Sequence, residues 1–112
     1  MGTKDNDTGL LPGTLEMLIL KTLTRGAMHG YGIAQRIREV SEEVLQVGEG
    51  SLYPALQRLL VNGRVAGEWG LSENKRRARY YQLTPAGRKQ LLVEADSFAR
   101  LIGAIERVMQ SA

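Results

Sequence analysis

Residues 63–84 read GRVAGEWGLSENKRRARYYQLT, the stretch that decides the fold. Two short runs of strand-forming residues flank a polar loop, a pattern that predicts a β-hairpin. Guanidinium groups fit phosphate oxygens and keep their charge at any accessible pH. A hairpin with a basic tip is therefore suited to contact a phosphate backbone rather than to build a core. The basic residues of the loop and the returning run are Lys75, Arg76, Arg77 and Arg79.

The segment before the hairpin has the pattern of an amphipathic helix over residues 51–62, SLYPALQRLLVN. Its leucines fall within one arc and should face the core. We expect Ser51 to cap this helix and Pro54 to lie in its first turn. The pair Asn62-Gly63 should end it. A helix followed directly by a basic hairpin predicts a winged helix-turn-helix that binds DNA.

Two further helices are predicted upstream, over residues 14–25 and 31–43. The first has an apolar stripe at helical spacing and stops at Gly26. Met17 and Leu20 widen its apolar arc beyond one contact face, which indicates a second packing partner. The turn between the helices holds His29, the only histidine. We expect His29 to bond its own backbone rather than a metal. The second helix should bury one side made of Ile33, Ile37, Val40 and Val44.

Thr84-Pro85 predicts the start of a final helix, with threonine as the cap and proline in the first helical position. Its apolar residues follow heptad spacing. One alternative folds this helix back on its own domain. We favour pairing with a second copy, because no other predicted element is left to cover the stripe. The predicted dimer interface consists of Met17, Leu20, Leu91, Ala95, Phe98, Ile102, Ile105 and Met109.

Composition limits the class of protein. The 112 residues suit one domain with a modest core, and 15 basic against 12 acidic residues give a net charge of +3. The absence of cysteine excludes disulfides and thiolate metal sites and suits a reducing cytoplasm. The first residues, MGTKDNDTG, are unlike a signal peptide, and no apolar run reaches the length of a membrane span. We therefore expect a cytoplasmic protein without membrane contact.

The predicted organisation has three parts. Residues 1–9 form a flexible tail, residues 10–84 a winged-helix DNA-binding domain, and residues 85–112 a dimerisation helix. The fold class is α+β, mostly α: a winged helix-turn-helix with a two-stranded basic wing and a C-terminal dimerisation helix.

Four segments resemble the PadR family of bacterial transcriptional regulators: LLPGTLEMLILKTL, MHGYGIAQRI, GSLYPALQRL and SENKRRARYYQLTPAGRKQL. The resemblance covers about residues 10–92, and the C-terminal region resembles the subgroup with a single final helix. It implies a dimeric repressor that releases its palindromic operator when an effector binds. Some family members hold flat aromatic ligands against a tryptophan on the final helix. Here that helix has none, and we expect Trp69 to pack across the wing hairpin.

The predicted DNA contacts lie on three elements. In the third helix, Gln57 suits a two-pronged bond to adenine, and Arg58 suits guanine or a phosphate. Tyr31 begins the second helix and is placed to bond a phosphate beside that helix's positive end. Wing arginines suit phosphates or a narrow minor groove. Packing against the core is the alternative for Tyr31 and Tyr53, and plain solvation is the alternative for Arg58. The full set is Tyr31, Ser51, Tyr53, Pro54, Gln57, Arg58, Lys75, Arg76, Arg77 and Arg79.

Two other classes of function compete. An enzyme is disfavoured because one histidine, no cysteine and no glycine-rich phosphate loop leave no nucleophile–base pair or cofactor motif. No metal or cofactor is therefore expected. A winged-helix protein-interaction module would share the fold, but its surface has little use for so concentrated a basic tip. The predicted partners are double-stranded DNA and a second copy, and the resemblance implies a small-molecule effector.

Overall fold

The computed structural model describes residues 12–112. The predicted tail, residues 1–9, lies outside the described residues. The helices are α1 (Pro12–Thr22), α2 (Gly30–Val40), α3 (Glu49–Val61) and α4 (Pro85–Gln110), with a 3-10 turn at Leu23–Arg25. The strands are β1 (Met28–His29), β2 (Val65–Leu71) and β3 (Arg77–Leu83). This is the predicted mostly helical α+β architecture, in which a helix is followed by a two-stranded wing.

The core lies where α1 meets α2, α3 and α4. The helical spacing of apolar residues in α1 and α3 turns their leucines and isoleucines inward, as their sequence pattern predicts. Val65, Tyr81 and Leu83 of the wing pack against the same core. The largest fully buried side chains are Ile19, Leu20, Ile33, Leu52, Leu56 and Leu59.

The prediction that Met17 and Leu20 of the first helix meet a second copy is corrected by the structure. Leu20 is 1% exposed and Met17 is buried, because α1 is surrounded by three other helices of the same chain. These two side chains belong to the core of the single chain and leave no surface for a second copy.

The second helix is shorter than predicted. It ends at Val40 rather than near residue 43, with Ser41 as the C-terminal cap. Glu42 and Glu43 then take positive φ angles of 55° and 73°, which turn the chain away from the helical path. Val40 and Val44 are consequently exposed, so the prediction that they continue the buried face of Ile33 and Ile37 is wrong.

The third helix begins two residues earlier than predicted. Its N-terminal cap is Gly48 and not Ser51, whose backbone N–H already donates to the Gly48 carbonyl. Pro54 therefore lies in the second turn and not the first. It removes one hydrogen bond to the carbonyl of Gly50, which is exposed near the helix start. The predicted end is confirmed: Asn62 is the C-terminal cap and Gly63 has φ of 71°.

The sheet is antiparallel with strand order β1-β3-β2. The wing register pairs Val65 with Leu83 and Leu71 with Arg77. The predicted two-stranded wing gains a third strand, since β1 pairs Met28 with Tyr81 and His29 with Tyr80. The sequence pattern alone assigns these two residues of β1 to a turn. The strand ties the start of α2 to the base of the wing.

A tight joint connects α3, the wing and α4. The Thr84 hydroxyl donates to the Gly63 carbonyl (2.8 Å) and accepts from the Gly87 N–H (3.0 Å), which confirms the predicted cap. The Thr84 N–H donates to the Arg64 carbonyl at 3.2 Å. Gly87 is buried against that carbonyl, and a Cβ at this position would overlap the Arg64 oxygen.

The final helix runs for 26 residues, or about 39 Å at 1.5 Å per residue. Leu91 is a core residue of the single chain, so the prediction that it meets a second copy is corrected. Beyond Leu91 no residue of α4 is buried. The helix therefore does not fold its apolar stripe back onto its own domain. The large apolar residues it leaves exposed are Leu92, Val93, Phe98, Leu101, Ile105, Val108 and Met109.

The Gly87 joint yields a stability prediction. Gly87→Ala should lower the free energy of unfolding by about 3 kcal/mol, because the added methyl group must displace a backbone carbonyl. Gly103→Ala is the matched control in the same helix, where the new Cβ meets only Arg107 at 3.6 Å. The control should stabilise by about 0.5–1 kcal/mol, the usual gain of alanine over glycine inside a helix. Urea unfolding measures the free energy of unfolding of both variants. Equal effects would contradict the close contact between Gly87 and the Arg64 carbonyl.

Candidate nucleic-acid interface

The tip of the wing is a closed loop, residues 72–76, held by its own backbone. The Ser72 N–H donates to the Arg76 carbonyl (2.8 Å), and the Lys75 N–H donates to the Ser72 carbonyl (2.9 Å). The Arg76 N–H donates to the Ser72 hydroxyl at 3.2 Å. Lys75 adopts a positive φ of 60° at the turn. The exposed side chains of Lys75 and Arg76 thus project from an ordered loop rather than a loose one.

Two arginines of β3 lie against the neighbouring strand. The guanidinium carbon of Arg77 lies 4.7 Å from the centre of the Trp69 ring, a cation–π geometry across the hairpin. The guanidinium of Arg79 lies over Gly67, where any larger residue would displace it. Trp69 therefore packs across the hairpin as predicted, yet it remains 57% exposed. Both arginines are held on the same face of the wing, since side chains two residues apart on a strand share a face.

The opposite face of the wing is stiffened by Tyr80. Its hydroxyl donates to the Leu71 carbonyl at 2.8 Å, and its ring lies over Gly70 on the neighbouring strand. His29 meets the Tyr80 ring edge-on, with the ring centres 5.4 Å apart. These contacts fix the wing relative to β1 and the start of α2.

The start of α2 meets α3 through a tyrosine and a glycine. The Tyr53 ring and hydroxyl lie so close to Gly30 that a Cβ there would be 2.9 Å from both the ring and the oxygen. His29 caps α2, because its Nδ1 accepts from the Gly32 N–H at 3.0 Å, as predicted for a histidine that bonds its own backbone. Tyr31 projects into solvent and is 70% exposed.

The Tyr53 side chain packs in part against Gly30 and is in part exposed to solvent. It is 44% exposed, so it packs in part against its own chain and still presents surface at which the predicted DNA contact could form. Burial raises the pKa of the Tyr53 phenol, and the nearby Glu49 and Tyr81 raise it further. The phenol therefore keeps its proton at neutral pH and remains a hydrogen-bond donor.

A cleft with a volume of about 960 Å³ separates the wing from the start of α2 and α3. It brings together five of the predicted contact residues, which come from three different elements: Tyr31, Tyr53, Arg76, Arg77 and Arg79. Three of these are arginines, whereas Glu73 is the only carboxylate in the lining. The walls are thus rich in donors and positive charge.

The remaining predicted contacts lie outside this cleft. Pro54, Gln57 and Arg58 are exposed on α3, Ser51 is half-buried near its start, and Lys75 lies on the wing tip. Arg58 is also held by the first helix, because its Nε donates to Glu16 at 2.6 Å. The alternative to DNA contact, that Arg58 is simply solvated, is therefore incomplete. One of its five N–H donors is occupied, and the others are left for a further acceptor.

Sequence reasoning did not name every polar residue of the cleft, since Gln35, Ser72 and Asn74 also line it. Gln35 lines it and is exposed, four residues after Tyr31. Residues i and i+4 of a helix share a face, so this spacing was the available signal.

The described residues, 12–112, hold neither a cluster of metal-ligating side chains nor a membrane-spanning helix. No group of three His, Cys, Asp or Glu side chains there is arranged to hold a metal ion. None of the helices in that range combines the length and apolar character that crossing a membrane requires.

Comparison with known proteins places this geometry in a family. The model of the transcriptional regulator PadR-like family matches residues 19–92. A transcriptional regulator from Clostridium thermocellum is similar in structure, with a TM-score of 0.78, 32% identity and coverage of 85% of this chain and 92% of that one. A PadR-like transcriptional regulator from Bacillus cereus has a TM-score of 0.74, 25% identity and coverage of 89% and 95%.

A relative known from sequence is longer. An uncharacterised 37.1 kDa protein of transposon Tn4556 from Streptomyces fradiae is 45% identical over 97 residues, which are 87% of this chain and 26% of that protein. The chain thus spans about a quarter of that relative's length. Members of the PadR-like family are transcriptional regulators and not enzymes, which agrees with the prediction from the sequence. The chain belongs to the PadR-like family of transcriptional regulators.

Proposed function

We propose that this protein is a homodimeric, sequence-specific DNA-binding repressor, with α3 in the major groove and the wing along the adjacent backbone. The observation that carries the proposal is the cleft that gathers Tyr31, Tyr53 and three wing arginines. Phosphate contacts position a protein on DNA, and base contacts specify the sequence. The arrangement supplies donors for both roles.

The wing suits the positioning role. Arg77 lies on Trp69 and Arg79 on Gly67, so less side-chain freedom is lost when they meet a phosphate. The protonated Tyr53 phenol and the exposed Tyr31 hydroxyl are further donors, close to the positive end of α2.

The exposed face of α3 suits the reading role. Gln57 is exposed on the side of the helix opposite the buried leucines. Its amide can donate to and accept from adenine at once, which is how glutamine distinguishes adenine in the major groove. Arg58, oriented by Glu16, is the second candidate for a base or phosphate contact.

The final helix supports the homodimer. Phe98, Leu101 and Ile105 are exposed in the single chain, and the half-buried Ile102 lies between them. A second copy would bury this stripe. Two-fold symmetry would then present two α3 helices to a palindromic operator, with half-sites about 34–36 Å apart. In this arrangement residues 10–84 form the DNA-binding domain and residues 85–112 the dimerisation helix.

Repression and its relief by an effector enter the proposal from the PadR resemblance. The competing proposal, a winged-helix module that binds a protein, shares the fold. The packed arginines of the wing disfavour it. Salt dependence discriminates between the DNA-binding regulator and the protein-binding module. The affinity for DNA should fall steeply as salt is added, whereas the affinity for a protein partner should not.

The first test removes two wing arginines. Arg76→Ala with Arg77→Ala should weaken binding to operator and random duplexes by similar factors. It should also flatten the plot of log affinity against log salt by about one unit for each phosphate that the variant no longer neutralises. Fluorescence anisotropy at several salt concentrations measures both quantities.

A matched control removes the same charge elsewhere. Arg100→Ala with Arg107→Ala takes two exposed arginines from the face of α4 opposite the heptad stripe and should leave the slope unchanged. An unaltered slope in the wing variant would exclude the wing from the DNA interface.

The second test concerns sequence reading by α3. Gln57→Ala should relax the preference at one position of each half-site, at a cost of about 1–3 kcal/mol there, while binding to random DNA stays nearly constant. Selection of bound fragments from random duplexes, with wild type and variant side by side, measures the preference. Gln90→Ala, which removes an amide that bonds Glu94 on α4, is the control. Equal losses on every sequence would make Gln57 a backbone anchor instead.

The third test concerns the dimer. Ile102→Asp would place a carboxylate in the centre of the proposed seam, and the interface avoids burying it only by opening. The variant should sediment as a monomer and lose operator affinity, although every proposed DNA-contacting residue is intact. Ser97→Asp adds the same charge on an exposed side of α4 and should stay dimeric. A folded Ile102→Asp protein that remains dimeric and binds DNA in gel shifts would refute the seam.

A further inference from the structure

A second cavity lies at the far end of α2, away from the wing. It has a volume of about 360 Å³ and opens between the last turn of α1, the last turn of α2 and the segment that follows. Its apolar wall consists of Leu18, Ile37, Val40 and Leu45. Cavities that hold small molecules have volumes of about 300–1,000 Å³, so this cavity is large enough for a small ligand.

The hydroxyl groups of the lining are engaged with the backbone. Thr22 donates to the Leu18 carbonyl (2.8 Å), Thr24 to the Lys21 carbonyl (2.6 Å) and Ser41 to the Arg38 carbonyl (3.2 Å). Ser41 also accepts from the Leu45 N–H at 3.0 Å. The hydroxyl hydrogens are therefore directed at the protein, and the wall offers little that competes with apolar contact.

Three cations complete the lining: Lys21, Arg25 and Arg36. No carboxylate lines the cavity. Within residues 12–112 none of these three cations takes part in an ion pair. Arg38, on the same helix but outside this cavity, is paired with Glu43 at 2.9 Å. An apolar cavity edged by uncompensated positive charge is complementary to a molecule with an apolar body and one negative group.

We propose that this cavity binds a small amphiphilic carboxylate, with its apolar body against Leu18, Ile37 and Val40 and its carboxylate between Lys21 and Arg36. Arginine and lysine donate charge-assisted hydrogen bonds to carboxylates, and these are stronger than bonds between neutral groups. Arg36 is half-buried, and partial exclusion of water strengthens its attraction for the anion.

The site is separate from the proposed DNA interface. It shares no lining residue with the cleft beside the wing. Tyr31 and Val40, at opposite ends of α2, are nine residues and about 13 Å apart along the helix axis. Binding here does not depend on the proposed function, and its measurement needs no DNA.

The test compares a charged probe with its neutral analogue. Octanoate and octanamide are titrated into the full chain without DNA, below the concentration at which octanoate forms micelles, and binding is followed by calorimetry. Octanoate should bind at least about tenfold more tightly than octanamide, since only the anion uses the cations. Lys21→Gln with Arg36→Gln should bring octanoate down to the affinity of octanamide.

Two controls keep the outcome interpretable. Lys89→Gln with Arg88→Gln removes two exposed cations from α4 and should leave octanoate binding unchanged. Val40→Trp should block both probes without unfolding the protein, because Val40 is exposed at the cavity mouth.

Three results would overturn the proposal. They are equal affinity for the two probes, undiminished octanoate binding in the folded Lys21→Gln, Arg36→Gln variant, and binding to anionic phospholipid vesicles that octanoate does not displace. The last result would assign the cations to a lipid surface. Circular dichroism of each variant separates loss of the site from loss of the fold.

Discussion

The contact between Gly87 and the Arg64 carbonyl is the constraint on which the arrangement of the molecule depends. Around it, Thr84 bonds Gly63 at the end of α3 and Gly87 at the start of α4. Within a few ångströms the chain leaves the third helix, enters the wing, returns from it and begins the final helix. Only glycine fits at position 87, because a Cβ would overlap the carbonyl. The directions of α3, the wing and α4 are therefore set together, and none of them can rotate without breaking this joint.

Features encoded by local chemistry were predictable from the sequence. The hairpin, the Thr84 cap and the Asn62-Gly63 helix end depend on neighbouring residues alone, and all three are confirmed. Two of the errors arose where distant contacts decide. Strand β1 has two residues and exists only because β3 pairs with it. Leu20 continues an apolar arc that looked like surplus, and only the packing of three helices around α1 shows that it is buried.

The candidate site shows the same division. The positive charge of the wing can be read from its residues, but the contacts that hold its arginine side chains in place cannot. Arg77 lies over Trp69 and Arg79 over Gly67 because the strand register brings these pairs together, and a register shift of one residue would separate them. Likewise the glycine at position 30 matters because Tyr53, 23 positions later, packs on it. Pairings across such separations depend on the folded geometry, which explains why sequence reasoning found the residues and missed how they are held.

The joint also connects the two surfaces used in the proposed function. Because α4 starts at Thr84, the angle at which it leaves the domain is fixed by the same hydrogen bonds that fix the end of α3. In the proposed homodimer, the apolar stripe around Phe98 and Ile105 would decide how two copies pair, and the joint would convert that pairing into a distance between two α3 helices. The length of α4 multiplies small changes of angle, since its seam extends about 39 Å from the joint. A rigid connection at Gly87 is thus what a dimer needs if it is to recognise half-sites at one spacing and reject others.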